Sequence, residues 1–401
     1  MLNKKDRWII FVTGGLWQLQ GIKEAKKIGL KILVIDSDKN ALGKYYSNLF
    51  INANLTDETK ILLKLKNLNL KFDGVVSYCS EAGMWLAAKI RFKFNLPGPS
   101  IKTTHMLTDK AKQRYQFSKS FFYNPVWEVF KTKKQLYNKL IKYNKTKIIK
   151  PCDSSGSRGV YKIEKNFSPK KINSMIEKVF KFSKSKRVIV EDYMPGEEFS
   201  VEVFLIKGKL NLIAITKKNK INNNTVSQEI FTIKLTKLIK KKIFKVINAA
   251  YAAINYKEGP GHAEIIIFND KIGIVEIAGR GPGFDMFDVF LPICSGINLP
   301  KITIMQSIGL DISNFKSKDN ENCHIYFYPS KKGKLLKITG LPAKLNVKGR
   351  SIKLFVKKIQ LYKNPTTDGD RFGYVLAYGK SSLENKKIIN KYRNKINFKM
   401  Y

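Results

Sequence analysis

Cysteine and histidine are scarce in this sequence. Its 401 residues include four cysteines and three histidines, and no two cysteines form a C-x-x-C pair. This usage excludes a disulfide framework and a zinc site built from cysteine pairs. Scattered, unpaired thiols are typical of a reducing compartment, and we therefore expect the protein to be cytoplasmic.

Long apolar runs are also missing. No run approaches the roughly 20 residues of a membrane span, so no membrane partner is expected. The N-terminus, "MLNKKDRWIIFVTGG", lacks the apolar core and the cleavage site of a signal peptide. Hydrophobic residues make up 43% and charged residues 26% of the chain, as in globular proteins. A chain of this length exceeds one compact core, so we expect two or three domains.

Acidic residues are few compared with basic ones. There are 75 Lys and Arg against 31 Asp and Glu, a formal net charge of +44. Such a charge suits nucleic acid, an anionic surface or acidic small substrates. The alternative is composition bias, because lysine far outnumbers arginine and is spread over the chain. No nucleic-acid-binding motif accompanies it, so we interpret the charge as mostly solvated surface with some steering of anions such as ATP.

Strand and helix signals alternate from residue 8 to residue 95. The segments "WIIFVTGG", "KILVIDSD" and "FDGVVSYCSE" are typical of buried strands, and "QLQGIKEAKKIG" is typical of an amphipathic helix. This alternation predicts a parallel sheet with helical crossovers. The turn-forming segment "NLPGPS" at residues 95–100 then marks a domain boundary.

Beyond residue 101 the pattern changes to paired strands. We expect "KIIKP" to pair with "GVYKI", and "RVIVEDYM" to pair with "EEFSVEVFLIKGKLNLIAIT". The polar segment 217–228 is predicted to be mobile, and helical spacing of apolar residues predicts a helix over about 233–254. Short strand patterns, followed by a terminal helix, fill the last part of the chain.

A loop rich in glycine and serine, "KPCDSSGSRGV", lies between two of these strands at residues 150–160. One explanation is an ordinary hairpin turn. The other is a phosphate site made by the backbone N–H groups of the loop. A Walker-type loop is excluded, because no lysine follows the glycine and a strand pattern replaces the required helix. In a phosphate site, Lys150 would supply a positive charge at the end of the preceding strand.

Two glutamates, Glu264 and Glu276, lie in strongly apolar strand patterns. A carboxylate is costly there unless a cation neutralises it. A three-residue loop at 269–271 would place the two opposite each other, and a five-residue loop at 269–273 would leave them diagonal on one face. A two-residue Asn-Asp turn would separate them. On one face, with Arg280 nearby, they would suit Mg²⁺; the alternative is two edge acids paired to lysines.

Five motifs, in this order, resemble the ATP-grasp superfamily. They are "TDKAKQR", "KPCDSSGSRGV", "EDYMPGEEFSVEV", the pair "GPGHAEIII" and "VEIAGRGPG", and "DGDRFGYVLAYG". The fourth is most similar to carboxylate–amine ligases of the L-amino-acid ligase branch. The resemblance implies an α/β and α+β fold with an N-terminal Rossmann-like (pre-ATP-grasp) domain at 1–98. It also implies a two-lobed ATP-grasp domain at 99–312, with its lid lobe at about 115–190, and a small β-rich domain at 313–401.

The resemblance further implies an ATP-dependent ligase that forms a C–N bond through an acyl phosphate and releases ADP. ATP and Mg²⁺ are the implied cofactors, with Mn²⁺ as the alternative metal. The implied partners are a small carboxylate, such as an amino acid, and an amine; a homodimer is common in this superfamily. Two alternatives stay open: an ATP-grasp enzyme with a non-amine acceptor, and a nucleic-acid-binding protein on a noncatalytic ATP-grasp scaffold.

Single residues take roles from the same resemblance. ATP would contact Lys110, Lys150, Ser155, Gly156, Ser157, Gly159, Glu191 (at adenine) and Glu198 (at ribose). Magnesium would bind Glu264 and Glu276, and Arg280 would be the catalytic residue that holds the substrate carboxylate or the acyl phosphate. One departure is Ala278, which stands where the superfamily commonly has a metal-binding asparagine. The number of metal ions is therefore open, with Asp285 and Asp288 nearby as substitutes.

Two further residues are candidates for contacting substrate. Glu81 and Gln18 follow predicted strands, at the edge where open α/β sheets bind ligands; Glu81 is the stronger candidate. The alternative, which we prefer, makes Ser80 a helix N-cap and Glu81 a first-turn acid. His262, near Glu264, is either a substrate contact or a structural histidine.

Overall fold

The N-terminal part of the computed structural model is a parallel sheet flanked by helices. The structure describes residues 7–220, 227–313, 322–356, 361–365 and 370–401. The first sheet has the strand order β3-β2-β1-β4, and its parallel pairing confirms the predicted Rossmann-like arrangement. Its elements are β1 (Trp8–Val12), α1 (Leu19–Lys27), β2 (Lys31–Asp36), β3 (Leu49–Asn52), α2 (Glu58–Asn67), β4 (Phe72–Val76) and α3 (Met84–Phe94).

A second, antiparallel sheet follows, which we call the lid sheet because it lies in the predicted lid lobe. Its strand order is β5-β8-β6-β7, and its apolar core is separate from the other clusters. The elements are α4 (Ile101–Leu107), α5 (Lys110–Phe117), β5 (Trp127–Phe130), α6 (Lys133–Leu140), β6 (Lys147–Pro151), β7 (Tyr161–Ile163), α7 (Pro169–Phe182) and β8 (Val188–Asp192).

The expected pairing of "RVIVEDYM" with the strand after it is wrong. The first of these segments, β8, lies between β5 and β6 in the lid sheet, whereas the next strand belongs to another sheet. Between them, Pro195 lacks an N–H group for a ladder. Gly196 approaches so closely that a Cβ atom there would lie 2.3 Å from the carbonyl oxygen of Ile267. The segment therefore crosses from one sheet to the other instead of turning back.

The largest sheet has the order β13-β12-β9-β10-β11-β14-β19-β17-β16. One face packs on α8, which begins four residues later and ends one residue earlier than the predicted range, and the other packs against the first sheet and α10. Its first five strands and the following helices are β9 (Glu197–Ile206), β10 (Lys209–Lys220), β11 (Ser227–Thr232), α8 (Lys237–Ala253), β12 (Gly259–Phe268), β13 (Lys271–Ala278), α9 (Leu291–Ser295) and α10 (Leu299–Ser307).

The C-terminal strands continue this sheet across the boundary predicted at residue 312, because β11 pairs with β14. The predicted mobile segment 217–228 is strand at both ends, and residues 221–226 lie outside the described residues. A small sheet, β18-β15-β20, completes this part. The elements are β14 (Asn322–Pro329), β15 (Gly333–Thr339), β16 (Asn346–Val347), β17 (Arg350–Leu354), β18 (Leu361–Tyr362), β19 (Arg371–Gly379), α11 (Ser382–Lys395) and β20 (Asn397–Met400).

Within the described ranges, no single helix is long and apolar enough to cross a membrane. The segments Met286–Ser295 and Leu299–Ser307 meet the criterion only as a pair, and they are bent by 111°.

A close approach of β4 to α10 gives a first testable prediction. A Cβ atom on Gly74 would lie 2.1 Å from the carbonyl oxygen of Ser307, so Gly74→Ala must push helix and sheet apart. We expect it to lower the free energy of unfolding by roughly 1–3 kcal/mol, measured by urea denaturation. The control is Gly15→Ala, whose Cβ would meet only a side-chain oxygen at 3.3 Å. Equal stability of the two variants would contradict the close approach.

Candidate active site

The two predicted metal-binding glutamates lie directly opposite each other, Glu264 on β12 and Glu276 on β13. Their hairpin closes with the two-residue turn Asn269–Asp270, in which both residues have positive φ, 43° and 59°. Asn and Asp tolerate that conformation and favour such turns. The expectation that this turn would separate the two carboxylates is therefore wrong.

A β-bulge explains the difference. Ile265 pairs with Ile274, but the next pair along the ladder is Glu264 with Glu276, so Val275 is an extra residue on β13. One extra residue shifts the strand by one position and exchanges its faces. The bulge thus brings together two carboxylates that a regular ladder would have placed on opposite faces.

Lysines neutralise this pair of carboxylates. The ammonium group of Lys110 lies 2.8 Å from Glu276, and that of Lys218 contacts Glu264. Burial alone would raise the pKa of each glutamate. The lysine charges outweigh it and hold both pKa values below the usual range, most strongly for Glu264. Both carboxylates are therefore ionised at neutral pH.

Lys110 owes its position to the start of α5. Asp109 caps that helix by accepting hydrogen bonds from the N–H groups of Ala111 and Lys112, as the "TDK" pattern predicts. The side chain of Lys110 then reaches the carbonyl oxygen of Ser154 at 2.5 Å, as well as Glu276. It thus connects the glycine loop to the carboxylate pair. Burial lowers the pKa of Lys110, but the attraction of Glu276 dominates and raises it.

A fully buried ion cluster lies beside this pair. Glu191 is 3% exposed and Arg114 is 2% exposed, and the guanidinium binds both carboxylate oxygens, at 2.7 and 3.1 Å. Lys150 lies 2.8 Å from the same carboxylate. Burial would raise the pKa of Glu191, but these two cations lower it to about 2. Arg114 is a residue that the motif "TDKAKQR" contains but to which we assigned no role.

The cluster also binds the bulge. Arg114 donates to the carbonyl oxygens of Ile274 at 2.6 Å and Val275 at 3.1 Å, and Lys150 donates to Val275 at 3.3 Å. Both predicted ATP residues, Lys150 and Glu191, therefore have a structural role. Their contacts with phosphate and adenine stay predictions.

The glycine loop connects β6 to β7, which form the predicted hairpin. Gly156, Ser157 and Gly159 have positive φ of 64°, 60° and 77°. Gly156 is exposed, and a Cβ atom there would meet nothing within 4 Å. The hydroxyl oxygen of Ser155 accepts a hydrogen bond from Arg158 at 3.1 Å. The loop is therefore both a hairpin connection and an open segment near Lys110, and its role in holding phosphate stays a prediction.

Lys218 is a site residue that the sequence did not single out. On β10 it lies close to Glu264 and is 3.6 Å from Glu198, the predicted ribose contact, which also contacts Lys220. Its side chain is only 7% exposed. In a sequence with so many lysines, and between Lys217 and Asn219, nothing in the pattern of β10 set it apart.

Arg280 reaches the N-terminal part of the molecule. Its guanidinium lies 3.1 Å from Glu81. The preferred interpretation of Glu81 as a first-turn acid is wrong, because Glu81 lies before the helix. Helix α3 begins only at Met84, with Gly83 rather than Ser80 at its N-cap. Gln18 is buried and donates to the carbonyl oxygen of Tyr78 at 2.9 Å. Gln18 therefore supports the loop, whereas Glu81 lies beside Arg280.

His262 lies between two acids on the same face. Its Nδ1 is 2.7 Å from Glu202 and its Nε2 is 3.4 Å from Glu264. Burial lowers the pKa of His262, but Glu202 outweighs it and raises the pKa to about 9. Across the ladder His262 pairs with Ala278, the position of the missing asparagine.

The two aspartates considered as substitutes are engaged elsewhere. Asp285 accepts from the hydroxyl of Tyr374 at 2.9 Å and lies 2.7 Å from Lys353, and Asp288 contacts the hydroxyl of Tyr78. Across the described ranges, no three His, Cys, Asp or Glu side chains cluster as a metal site. A magnesium ion would thus have the two glutamates alone, which fits its habit of binding one or two carboxylates plus substrate phosphates.

Buried polar atoms on this face lack partners. Among the described residues, the hydroxyls of Ser200 and Thr216 and one carboxylate oxygen of Glu202 make no hydrogen bond. Ser200 lies next to Glu264 in the ladder and opposite Thr216. Buried polar groups without partners are rare in folded proteins, so this face is suited to a polar ligand.

The comparisons with known proteins agree with this geometry. Residues 143–286 match the sequence profile of the ATP-grasp domain, a range that includes Lys150, Glu191, Glu264 and Glu276. The match covers 144 of the 401 residues. The sequence matches no curated protein.

Solved structures with the same fold cover nearly the whole chain. L-amino acid ligase from Bacillus licheniformis has a TM-score of 0.83 at 19% identity, covering 99% of both chains. Phosphoribosylglycinamide synthetase from Anaerococcus prevotii has 0.76 at 20%, covering 99% of this chain and 100% of that one. The biotin carboxylase domain of Hydrogenobacter thermophilus 2-oxoglutarate carboxylase, in complex with MgADP, has 0.75 at 11%, covering 98% and 90%. The predicted ATP-grasp fold is confirmed.

The buried ion cluster gives a second prediction. Glu191→Gln leaves Arg114 and Lys150 without their carboxylate, and we expect it to lower the free energy of unfolding by about 3–5 kcal/mol at neutral pH. In the fold the pKa of Glu191 is about 2, below its usual 4.5. This stabilisation is present above pH 4.5 and is lost as the pH falls through about 2. Urea unfolding over a descending pH series should therefore show the variant and the wild type converging.

The matched control is Glu128→Gln. Glu128 pairs with Lys139 at 3.0 Å, but both side chains are about half exposed, so we expect a loss below about 1 kcal/mol. A loss for Glu191→Gln no larger than that of the control, or one that does not shrink in acid, would contradict the interpretation of the cluster.

Proposed function

We propose that the protein is an ATP-dependent ligase that joins a small carboxylate to an amine, releasing ADP and phosphate. The observation that carries the proposal is the opposed pair Glu264 and Glu276, held on one face with Lys110, Lys218 and Arg280 around it. Paired carboxylates ringed by cations suit phosphoryl transfer, in which positioning and charge neutralisation supply most of the catalysis.

In this structure two lysines occupy the place that a metal ion would take beside the glutamates. Lys110 and Lys218 now neutralise the two glutamates. A magnesium ion bound by both glutamates would neutralise phosphate oxygens and leave the two ammonium groups available to the same phosphates. The glycine loop, whose Ser154 carbonyl already contacts Lys110, would cover them.

The reaction proceeds in two steps. A substrate carboxylate oxygen attacks the γ-phosphorus of ATP; the bond to the β-phosphate oxygen breaks, and ADP leaves. The amine nitrogen then attacks the acyl carbon, the C–O bond to phosphate breaks, and the nitrogen gives up a proton as the amide forms. Arg280, which faces Glu81 across the cleft, would hold the carboxylate and then the acyl phosphate.

The names of the structural relatives support the cofactors and the substrate class. One is named an L-amino acid ligase and another was solved with MgADP. We therefore propose ATP and Mg²⁺ as cofactors, with Mn²⁺ as an alternative metal, and an amino acid or similar small acid as the carboxylate substrate. The four free thiols fit the cytoplasm as its compartment.

The test is ADP release from Mg·ATP with pools of carboxylates, each with and without pools of amines. ADP that requires one carboxylate and rises with one amine would support the ligase. We expect Glu276→Gln to lower this rate by roughly 100-fold or more, while thermal unfolding stays near that of the wild type. The control Glu177→Gln, an exposed residue paired with Lys133, should keep full activity.

Other outcomes would overturn the proposal. AMP and pyrophosphate as products would exclude the acyl-phosphate route, and full activity in Glu276→Gln would exclude the assigned metal site. ADP release that no amine raises would favour a non-amine acceptor. A further outcome is that no pool gives ADP release and that the protein binds nucleic acid tightly, with an affinity that falls steeply with salt. This outcome would favour the noncatalytic alternative suggested by the charge of +44.

A further inference from the structure

A cavity extends from the candidate active site toward the N-terminal sheet. Its volume is about 650 Å³, including the space open to solvent. Cys79, Arg280 and Gly281 line it at the end of the active site, and Arg91, Pro97 and Gly98 also contribute to its wall. A concave wall with a few polar and charged groups is typical of sites for small molecules.

The wall combines apolar and polar side chains. The apolar ones include Val75, Val76, Met84, Pro97, Pro99 and Phe287, and the uncharged polar ones include Ser77, Thr104, Thr303, Gln306 and Ser307. Charge is limited to three groups, Arg91, Glu258 and Arg280. Where charged groups are few, they select the ligand, and of these three Arg91 and Arg280 attract an anion.

The guanidinium of Arg91 has an N–H donor without a hydrogen-bond partner among the described residues. Its Nη1 donates to the carbonyl oxygen of Pro99 at 3.3 Å, and its Nε is buried without a hydrogen-bond partner among the described residues. A guanidinium carries five N–H donors and binds carboxylates through two at once. The other arginines of the site, Arg114 and Arg280, each have a carboxylate partner.

Arg91 keeps its positive charge in spite of its burial. Burial lowers its pKa to about 10, with Tyr256 opposing, so the side chain is still cationic at neutral pH. A partly buried cation without an anion is costly unless a ligand supplies one. Gly98 makes room for it, since a Cβ atom there would lie 2.8 Å from the Nε of Arg91.

We propose that this cavity receives the body of the carboxylate substrate and that Arg91 binds a second carboxylate at its far end. The inference rests on the proposed function for the end at Arg280, where the first carboxylate is activated. The substrate class is then a dicarboxylic acid with an apolar chain between its two acid groups. Glu258 in the wall would accept an ammonium group beside the distal carboxylate, so acidic amino acids activated at the side chain belong to the class.

The experiment compares ligands that differ in one group. Calorimetric titration of the full chain, without ATP, would use dicarboxylates from succinate to suberate, their 2-amino derivatives and the monocarboxylates of equal length. We expect at least one dicarboxylate to bind about 10-fold tighter than its matched monocarboxylate. The preference should vanish in Arg91→Met and persist in part in Arg91→Lys. The control Lys93→Met alters an exposed cation of the same helix and should keep it.

A purely structural role for Arg91 predicts a different result, because loss of folding would weaken both ligand classes alike. Equal wild-type affinity for the two classes, or a preference retained in Arg91→Met, would overturn the inference even if ADP release establishes the ligase. A preference that depends on Arg91, without ADP release from any substrate pair, would support the cavity and count against the ligase. With an active enzyme, Arg91→Met should raise the KM for the dicarboxylate far more than it lowers kcat.

Discussion

The candidate site depends on one extra residue in a strand and on the cations that hold it. Val275 shifts β13 by one position and turns Glu276 toward Glu264. Its carbonyl oxygen accepts hydrogen bonds from Arg114 and Lys150, whose charges Glu191 balances. The lid sheet, α5 and the carboxylate hairpin meet at this point. A buried ion cluster thus sets the register of the strand that carries the chemistry.

Sequence patterns were sufficient to predict helices and strands, but not the register in which the strands pair. The apolar runs gave the parallel sheet, and the "TDK" signal placed the cap of α5. The bulge could not be predicted from the sequence, because the donor that fixes it, Arg114, lies 160 positions from its acceptor Ile274. Lys218 was hidden for a different reason: a lysine among so many carries little information until the fold shows that it is buried beside Glu264.

The chain has an excess of positive charge, and inside the cleft the positive side chains form ion pairs with acids. Glu81, Glu198, Glu264 and Glu276 each contact a lysine or arginine. These four acids thus lie where a cationic ligand or a metal would need them. Surface lysines attract anions over long distances. The paired groups of the cleft determine where an anion can bind.

The separate core of the lid sheet has a mechanical consequence. The first sheet and the large sheet share one apolar cluster and thus form one packed body. The lid sheet has its own core and is joined to that body by a small apolar cluster around Cys152 and by ionic contacts such as Arg187 with Asp109. Ionic strength weakens the exposed ion pairs of such a joint, but it screens the buried cluster of Arg114, Lys150 and Glu191 much less. A movement of the lid sheet relative to that body would therefore have to break or carry along this buried cluster, which also holds the bulge of β13.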